Sequence, residues 1–324
     1  MSRGLLRTTV VGFVVVATGL PASAAAADGP PIFGLVAGPG GVSLPGSAVR
    51  YVSLPAGRGS VVAQIRQAGG RVAASLYFKH GEAIPAIAAD GSASGLSADG
   101  RTLVVTPPRN RFPQLLTRLT LLDTVPLRPR SEIALRGDYG FDAISPDGGV
   151  IYLIHYLSPT NPLRYEVRAY DVQARRMDPK PVVDPRERDE KMRGYAVTRA
   201  MSADGRWAYT LYQGGEHPFV HALDTVRRTA RCIDLPELSG DLSALRLRLE
   251  AGGRRLVVAD NAEPAANIDT RTFRVSAPPV VAYTPPSQTE GGGESSWMVM
   301  GGTGLGVLAL AGASAALLRR RRID

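Results

Sequence analysis

An internal repeat constrains the fold more than any other feature of this sequence. Four segments align: GLSADGRTLVVT (95–106), AISPDGGVIYLI (143–154), AMSADGRWAYTL (200–211) and LRLEAGGRRLVVA (247–259). Asp99, Asp147 and Asp204 each precede a glycine, and the fourth copy keeps Gly252-Gly253. The turns are spaced by 48, 57 and 48 residues. A second signal follows each turn, an apolar run ending in Asp123, Asp171, Asp224 or Asp269. Asp-Gly between apolar runs predicts a tight turn, because glycine accepts positive φ without steric cost. The Val, Ile, Tyr and Leu residues on either side suit buried strands. Each unit therefore holds a strand, a turn, a second strand, a third strand ending in Asp, and a fourth before the next unit.

Four strands in about 45 to 50 residues is the size of one propeller blade. The expected fold is all-β, a β-propeller of about five four-stranded blades over residues 31–277, with six or seven as the alternative counts. Strands at 51–54, 61–66 and 72–78 would supply a blade ahead of the clear repeats. A pair of β-sandwiches is the competing fold, and the fixed period disfavours it. The pattern resembles the YVTN-type β-propeller repeats, distant relatives of WD-repeat blades. Ser145-Pro146-Asp147-Gly148 matches the turn of that family, and the following strands read LVVT, IYLI, WAYT and LVVA. The resemblance is clear over residues 93–276. It implies the fold and no particular activity, since propellers host many unrelated functions.

The two ends of the chain set an expected location. Arg3 and Arg7 precede an apolar run at 10–20, then Pro21 and the small-x-small sequence Ala22-Ser23-Ala24. This predicts a secretory signal peptide over 1–24, because about 11 apolar residues are too few to cross ~30 Å of hydrocarbon. Residues 298–318 carry no charge, and a helix of that length reaches about 31 Å. Trp297 stands at its entry and arginines occupy 319–322 at its exit. The expectation is a transmembrane helix over 297–318 with a basic cytoplasmic tail at 319–324, giving a single-pass type I protein held in the cytoplasmic membrane with its body outside. Residues 278–296, rich in Pro, Ser, Gln and Gly, read as a stalk. No Leu-Pro-x-Thr-Gly motif precedes the helix, so it reads as a retained anchor rather than a wall-sorting signal.

The net charge of +9 comes largely from these basic ends, and no basic stripe interleaved with aromatics appears. Nucleic acid is therefore not an expected partner. Cys232 is the one cysteine, which excludes an internal disulfide and a zinc–cysteine site. It lies in the apolar run 230–235 and is expected to be buried. No nucleophile elbow, phosphate loop or His-Glu-x-x-His sequence is present, and neither a cofactor nor a metal is expected.

The candidate binding residues come from the one irregular spacing. The nine extra residues between the second and third repeats coincide with the charged run at 184–193. Insertions in a repeat array become loops on one face, often the binding face. Arg186, Glu187, Arg188, Asp189, Glu190, Lys191 and Arg193 are thus read as a partner-contact loop. A solvated connector with weak ion pairs is the plainer alternative. His217 and His221, four apart, would share one face of a strand, although nothing nearby completes a metal site. His155 and Tyr156 end a strand where a propeller mouth would open. Arg109, Arg111 and Arg118 flank prolines in a predicted loop. The Asp-Gly aspartates read as turn formers rather than calcium ligands. The expected function is a binding or interaction module at the cell envelope, meeting an envelope protein or glycan. The alternative is an envelope enzyme (hydrolase, lactonase-like or lyase) with its site at the propeller mouth.

Overall fold

The three Ser-x-Asp-Gly sequences fold into the same turn. In each, the serine hydroxyl donates to the aspartate carboxylate: Ser97 to Asp99 at 2.5 Å, Ser145 to Asp147 at 2.6 Å and Ser202 to Asp204 at 2.6 Å. The same hydroxyl accepts the amide of the strand that follows, from Thr102 at 3.0 Å, Val150 at 2.9 Å and Trp207 at 2.8 Å. The aspartate accepts the amide two residues on, from Arg101, Gly149 and Arg206, which is the turn chemistry expected of Asp. Gly100, Gly148 and Gly205 sit at φ 71°, 72° and 71°, a conformation in which a side chain is strained. At Asp147 the Ser145 hydroxyl and the Gly149 amide hold the carboxyl below its ordinary pKa.

The second repeated signal is bonded to the first. Thr124, Thr225 and Thr270 follow the repeated aspartates Asp123, Asp224 and Asp269. Their hydroxyls donate to the carbonyls of Gly100 (2.5 Å), Gly205 (2.9 Å) and Gly253 (2.8 Å) in the first turn of the same unit. Asp171, Asp224 and Asp269 also accept amides of the turns that follow them. Four residues beyond each, Arg175, Arg228 and Phe273 adopt positive φ.

The computed structural model describes residues 38–188, 192–214, 217–261 and 263–277. The chain divides into Met1–Pro279 and Val280–Asp324. The predicted signal peptide, stalk, transmembrane helix and tail lie outside the described residues. Among the described residues no helix is long and apolar enough to cross a membrane. The strands are β1 (Gly38–Val42), β2 (Val49–Ala56), β3 (Gly59–Arg66), β4 (Val72–Phe78), β5 (Thr102–Val105), β6 (Leu116–Thr124), β7 (Leu127–Arg136), β8 (Tyr139–Ile144), β9 (Val150–Tyr156), β10 (Tyr165–Asp171), β11 (Arg176–Met177), β12 (Tyr195–Met201), β13 (Trp207–Gln213), β14 (Phe219–Asp224), β15 (Thr229–Asp234), β16 (Leu245–Glu250), β17 (Arg255–Asp260), β18 (Glu263–Asp269) and β19 (Val275–Ser276).

These strands form five antiparallel sheets in chain order, β1–β4, β5–β7, β8–β11, β12–β15 and β16–β19, each a simple meander. Four have four strands and the second has three. In the second sheet the innermost strand shrinks to a bridge between Leu96 and Leu103, with the Val104 amide donating to the Gly95 carbonyl at 2.8 Å. Buried clusters fill the gaps between successive sheets. Leu103 and Val62 join the first and second, Leu121 and Leu153 the second and third, Tyr152 and Leu223 the third and fourth, and Leu211 and Val258 the fourth and fifth. Each such side chain contributes about 1.5–3 kcal/mol relative to exposure. Sheets stacked face to face in sequence are the blades of a propeller.

The axis is filled from within. Between the first two blades the chain forms a small hairpin at 85–94, with Ile87 donating to Ser92 O and Ser94 to Pro85 O. Residues 82–94 touch every blade. Ser60 on β3 donates to Glu82 O and Ile84 donates to Ser53 Oγ on β2. Ala83 pairs with Thr106 beside β5. Ile87 packs with Phe141 on β8. Ala89 and Asp90 donate to Ala196 and Val197 on β12, and Asp90 lies 3.7 Å from Arg246 on β16. Beside the hairpin, Arg199 on β12 and Asp142 on β8 form an ion pair with side chains only 3% and 4% exposed.

Candidate functional site

A large cavity lies between the third and fourth blades, where the 48-residue period is broken. It is a cleft of about 1010 Å³ bounded by three stretches of chain: the loop after β9 with the start of β10, the connection from β11 to β12, and the end of β13. Its floor joins the two blades through Tyr165, whose buried hydroxyl donates to Gly194 O at 3.0 Å. Gly194 is held at φ 89°, and a Cβ there would stand 1.8 Å from Gln213 O, so the strand end can approach only because the residue is glycine. One wall is set by Val182, which bridges Val167 on β10 and donates to its carbonyl at 2.8 Å.

The connection is fixed by a buried acid. Asp184 is 3% exposed and receives the Arg186 guanidinium at 2.6 Å, the Arg186 amide at 2.9 Å and the Cys232 amide at 3.0 Å. Burial opposes ionisation of this carboxyl, but the hydrogen bonds from Arg186 and Cys232 outweigh it and hold the pKa below its ordinary value. Arg186 also donates to Cys232 O at 3.1 Å, which clips the loop to β15.

The predicted contact residues consequently divide. Arg186 is committed to Asp184, with Glu187 beside it at 4.0 Å, so it serves the loop's own structure. Arg188 and Arg193 line the cleft. Asp189, Glu190 and Lys191 lie outside the described residues. Sequence reasoning missed Arg164, which lines the opposite wall; its loop had drawn attention only for the neighbouring His155. Among the described residues Arg164 and Arg193 face no carboxylate within ion-pair distance, and Arg188 donates only to Pro185 O at 3.3 Å. Glu166 is the acid of the lining, and it is already engaged by His155 at 3.2 Å and Arg168 at 3.0 Å.

The other sequence candidates do not assemble. His217 precedes β14, because Pro218 ends the pairing there, and it meets Asp234 at 2.9 Å. His221 is inside β14, 2% exposed and edge-on to Tyr212, so the two imidazoles do not share one site. His155 stacks on Tyr139. Arg109 pairs with Asp138 at 2.6 Å over the Tyr156 ring. Arg118 is on β6 rather than in a loop, pairing with Glu132 at 3.0 Å, and Arg111 is exposed. Cys232 is half-buried rather than buried, since β15 is the outermost strand of its blade and one side lies open.

No protein-family model matches this sequence. No curated protein matches it either. Among solved structures the chain is similar to hydrazine synthase of Kuenenia stuttgartiensis, at 14% identity and TM-score 0.45 over 72% of this chain and 68% of that one. It is also similar to the Cps50 (Swd1) β-propeller domain of Myceliophteria thermophila (14% identity, TM-score 0.41, 74% and 66%). TolB from Acinetobacter baumannii is a third (14% identity, TM-score 0.42, 72% and 51%). This chain thus spans between about half and two thirds of those chains. Such likenesses bring no residue role with them, and the chemistry of the cleft stands on its own geometry. That chemistry is apolar walls, three guanidinium groups and an acid already paired, an arrangement suited to holding a ligand.

Proposed function

We propose that this chain is a binding module displayed at the cell envelope, engaging a partner through the cleft between its third and fourth blades. One observation carries the reading: a cleft of about 1010 Å³ whose lining joins exposed leucines to arginines that have no carboxylate partner among the described residues. Ligand sites are concave, mostly apolar and marked by a few placed polar groups. The signal-like N-terminus and the uncharged stretch at 298–318 support secretion and anchoring by a single helix, with the propeller outside. The alternative is an enzyme with its site at the propeller mouth; beside the hairpin at 85–94 the space is about 10 Å³, so the cleft is the roomier place for a ligand. The test is photo-cross-linking in the native cell. A photoreactive residue replacing Leu163 at the cleft is expected to give discrete adducts, and one replacing Val125, 84% exposed on the second blade, is not. Equal yields from the two positions, or none from Leu163, would refute the reading.

A further inference from the structure

We infer that the cleft takes an extended peptide segment in which carboxylates alternate with aliphatic side chains. This rests on the reading of the cleft as a binding site and names the chemistry of its occupant.

The walls set the first requirement. Leu157 and Leu163 are 49% and 36% exposed, and both line the cleft with Val182 and Val183. Leucines left in water beside other apolar surface mark a contact site when they are gathered in one place. The cations set the second. Elsewhere the propeller pairs its buried guanidinium groups, Arg109 with Asp138 and Arg199 with Asp142, and the half-buried Arg206 with Asp224. At the cleft the arginines are exposed, Arg164 on one wall and Arg188 and Arg193 on the other, and they meet no acid among the described residues, which leaves three cations facing one apolar trough. A guanidinium presents a planar fork that matches a carboxylate with two parallel hydrogen bonds. Cations on both sides of an apolar trough select a strand whose acidic and aliphatic side chains alternate, because successive side chains of an extended chain point in opposite directions.

The same lining disfavours an acidic glycan. Sugar rings need aromatic faces and a mixture of donors and acceptors. The two tyrosines of the lining are Tyr165, buried with its hydroxyl given to Gly194 O, and Tyr195, whose hydroxyl donates to Gln213 Oε1 at 3.0 Å. Aliphatic walls with cations fit a peptide better.

The experiment uses the full-length chain in detergent micelles and fluorescence anisotropy with three labelled probes: an alternating Leu-Glu peptide, its Leu-Gln counterpart and an oligogalacturonate. The Leu-Glu peptide is expected to bind, and to weaken as salt is raised. Both the Leu-Gln peptide and the double variant R164Q/R193Q are expected to lose roughly tenfold or more in affinity, the scale of one or two charge-assisted hydrogen bonds. R58Q, which changes an exposed arginine on the turn between β2 and β3, is expected to bind as the unaltered chain does. Matching thermal unfolding curves establish that the variants are folded. Equal binding of the two peptides, undiminished binding by R164Q/R193Q, no binding of the Leu-Glu peptide, or arginine-dependent binding of the oligogalacturonate in its place would each overturn the proposal. Cross-linking from position 163 separates this failure from that of the parent reading. Adducts that persist in R164Q/R193Q leave the cleft a binding site with a different ligand, whereas their absence throughout defeats both.

Discussion

Asp142 and Arg199 carry opposite charges in the buried interior, joining the inner strands of two blades. The Arg199 guanidinium also donates to the Asp142 carbonyl at 2.9 Å. A buried pair contributes little net stability when intact, but removal of one partner strands the other charge. The variant D142A is therefore expected to lose about 3–5 kcal/mol, and the apolar double variant D142L/R199M distinctly less, as read from urea unfolding midpoints. His221 offers a different residue-scale test. Burial, with Asp142, Arg199 and Asp184 as the surrounding charges, lowers its pKa from 6.5 to about 4. Between those values the unfolded chain binds the proton and the folded chain does not, so stability is complete above pH 6.5 and falls as the pH drops toward 4. The expected loss is roughly 2–4 kcal/mol. Carboxylates such as Asp184 and Asp224, held below 3.8, add their own losses only at still lower pH. Replacement H221L should flatten the slope between pH 6.5 and 4 while leaving the steeper acid limb, a difference visible in melting temperature against pH.

The hairpin at 85–94 is the element with the widest reach, and it has almost no regular secondary structure. Ile87 is 4% exposed within it, so I87A is expected to cost about 2–4 kcal/mol. V125A, at an exposed turn, should stay within about 0.5 kcal/mol. Thermal unfolding of both variants decides whether the segment is core or covering. The same segment marks the limit of what the sequence discloses. The blades are legible because their signals are local. Ser-x-Asp-Gly closes its own hydrogen bonds within five residues, and the short apolar run from Val61 to Ile65 announces β3. The stretch AIPAIAADGSA at 83–93 closes its own small turn around Asp90-Gly91, but its contacts with the blades are remote in sequence, as where Ser92 meets Arg199 across 107 residues. The cleft is half legible for the same reason. The break in period pointed to the connection at 184–193 and so to Arg188 and Arg193. Arg164 belongs to a different loop and joins them only when two blades stack. Asp184 and Arg186 read as two more charges of a solvated run, and only the burial of the first against β15 reveals an anchor.

At the scale of the whole molecule, the proposed anchor makes a prediction about position in the cell. A chain ending before residue 297 is expected to appear in the culture medium as a folded protein, while the full chain stays with the membrane fraction; retention of both would count against the anchor. The axial hairpin bears on the order in which the blades can come together. It is made early, after one blade, yet its bonding partners Ala196, Val197 and Arg246 belong to the last two. Until those emerge, the amides of Ala89 and Asp90 lack their acceptors, and closure of contacts so distant in sequence is slow. A polypeptide built this way completes the packing along its axis only when its final third has been made.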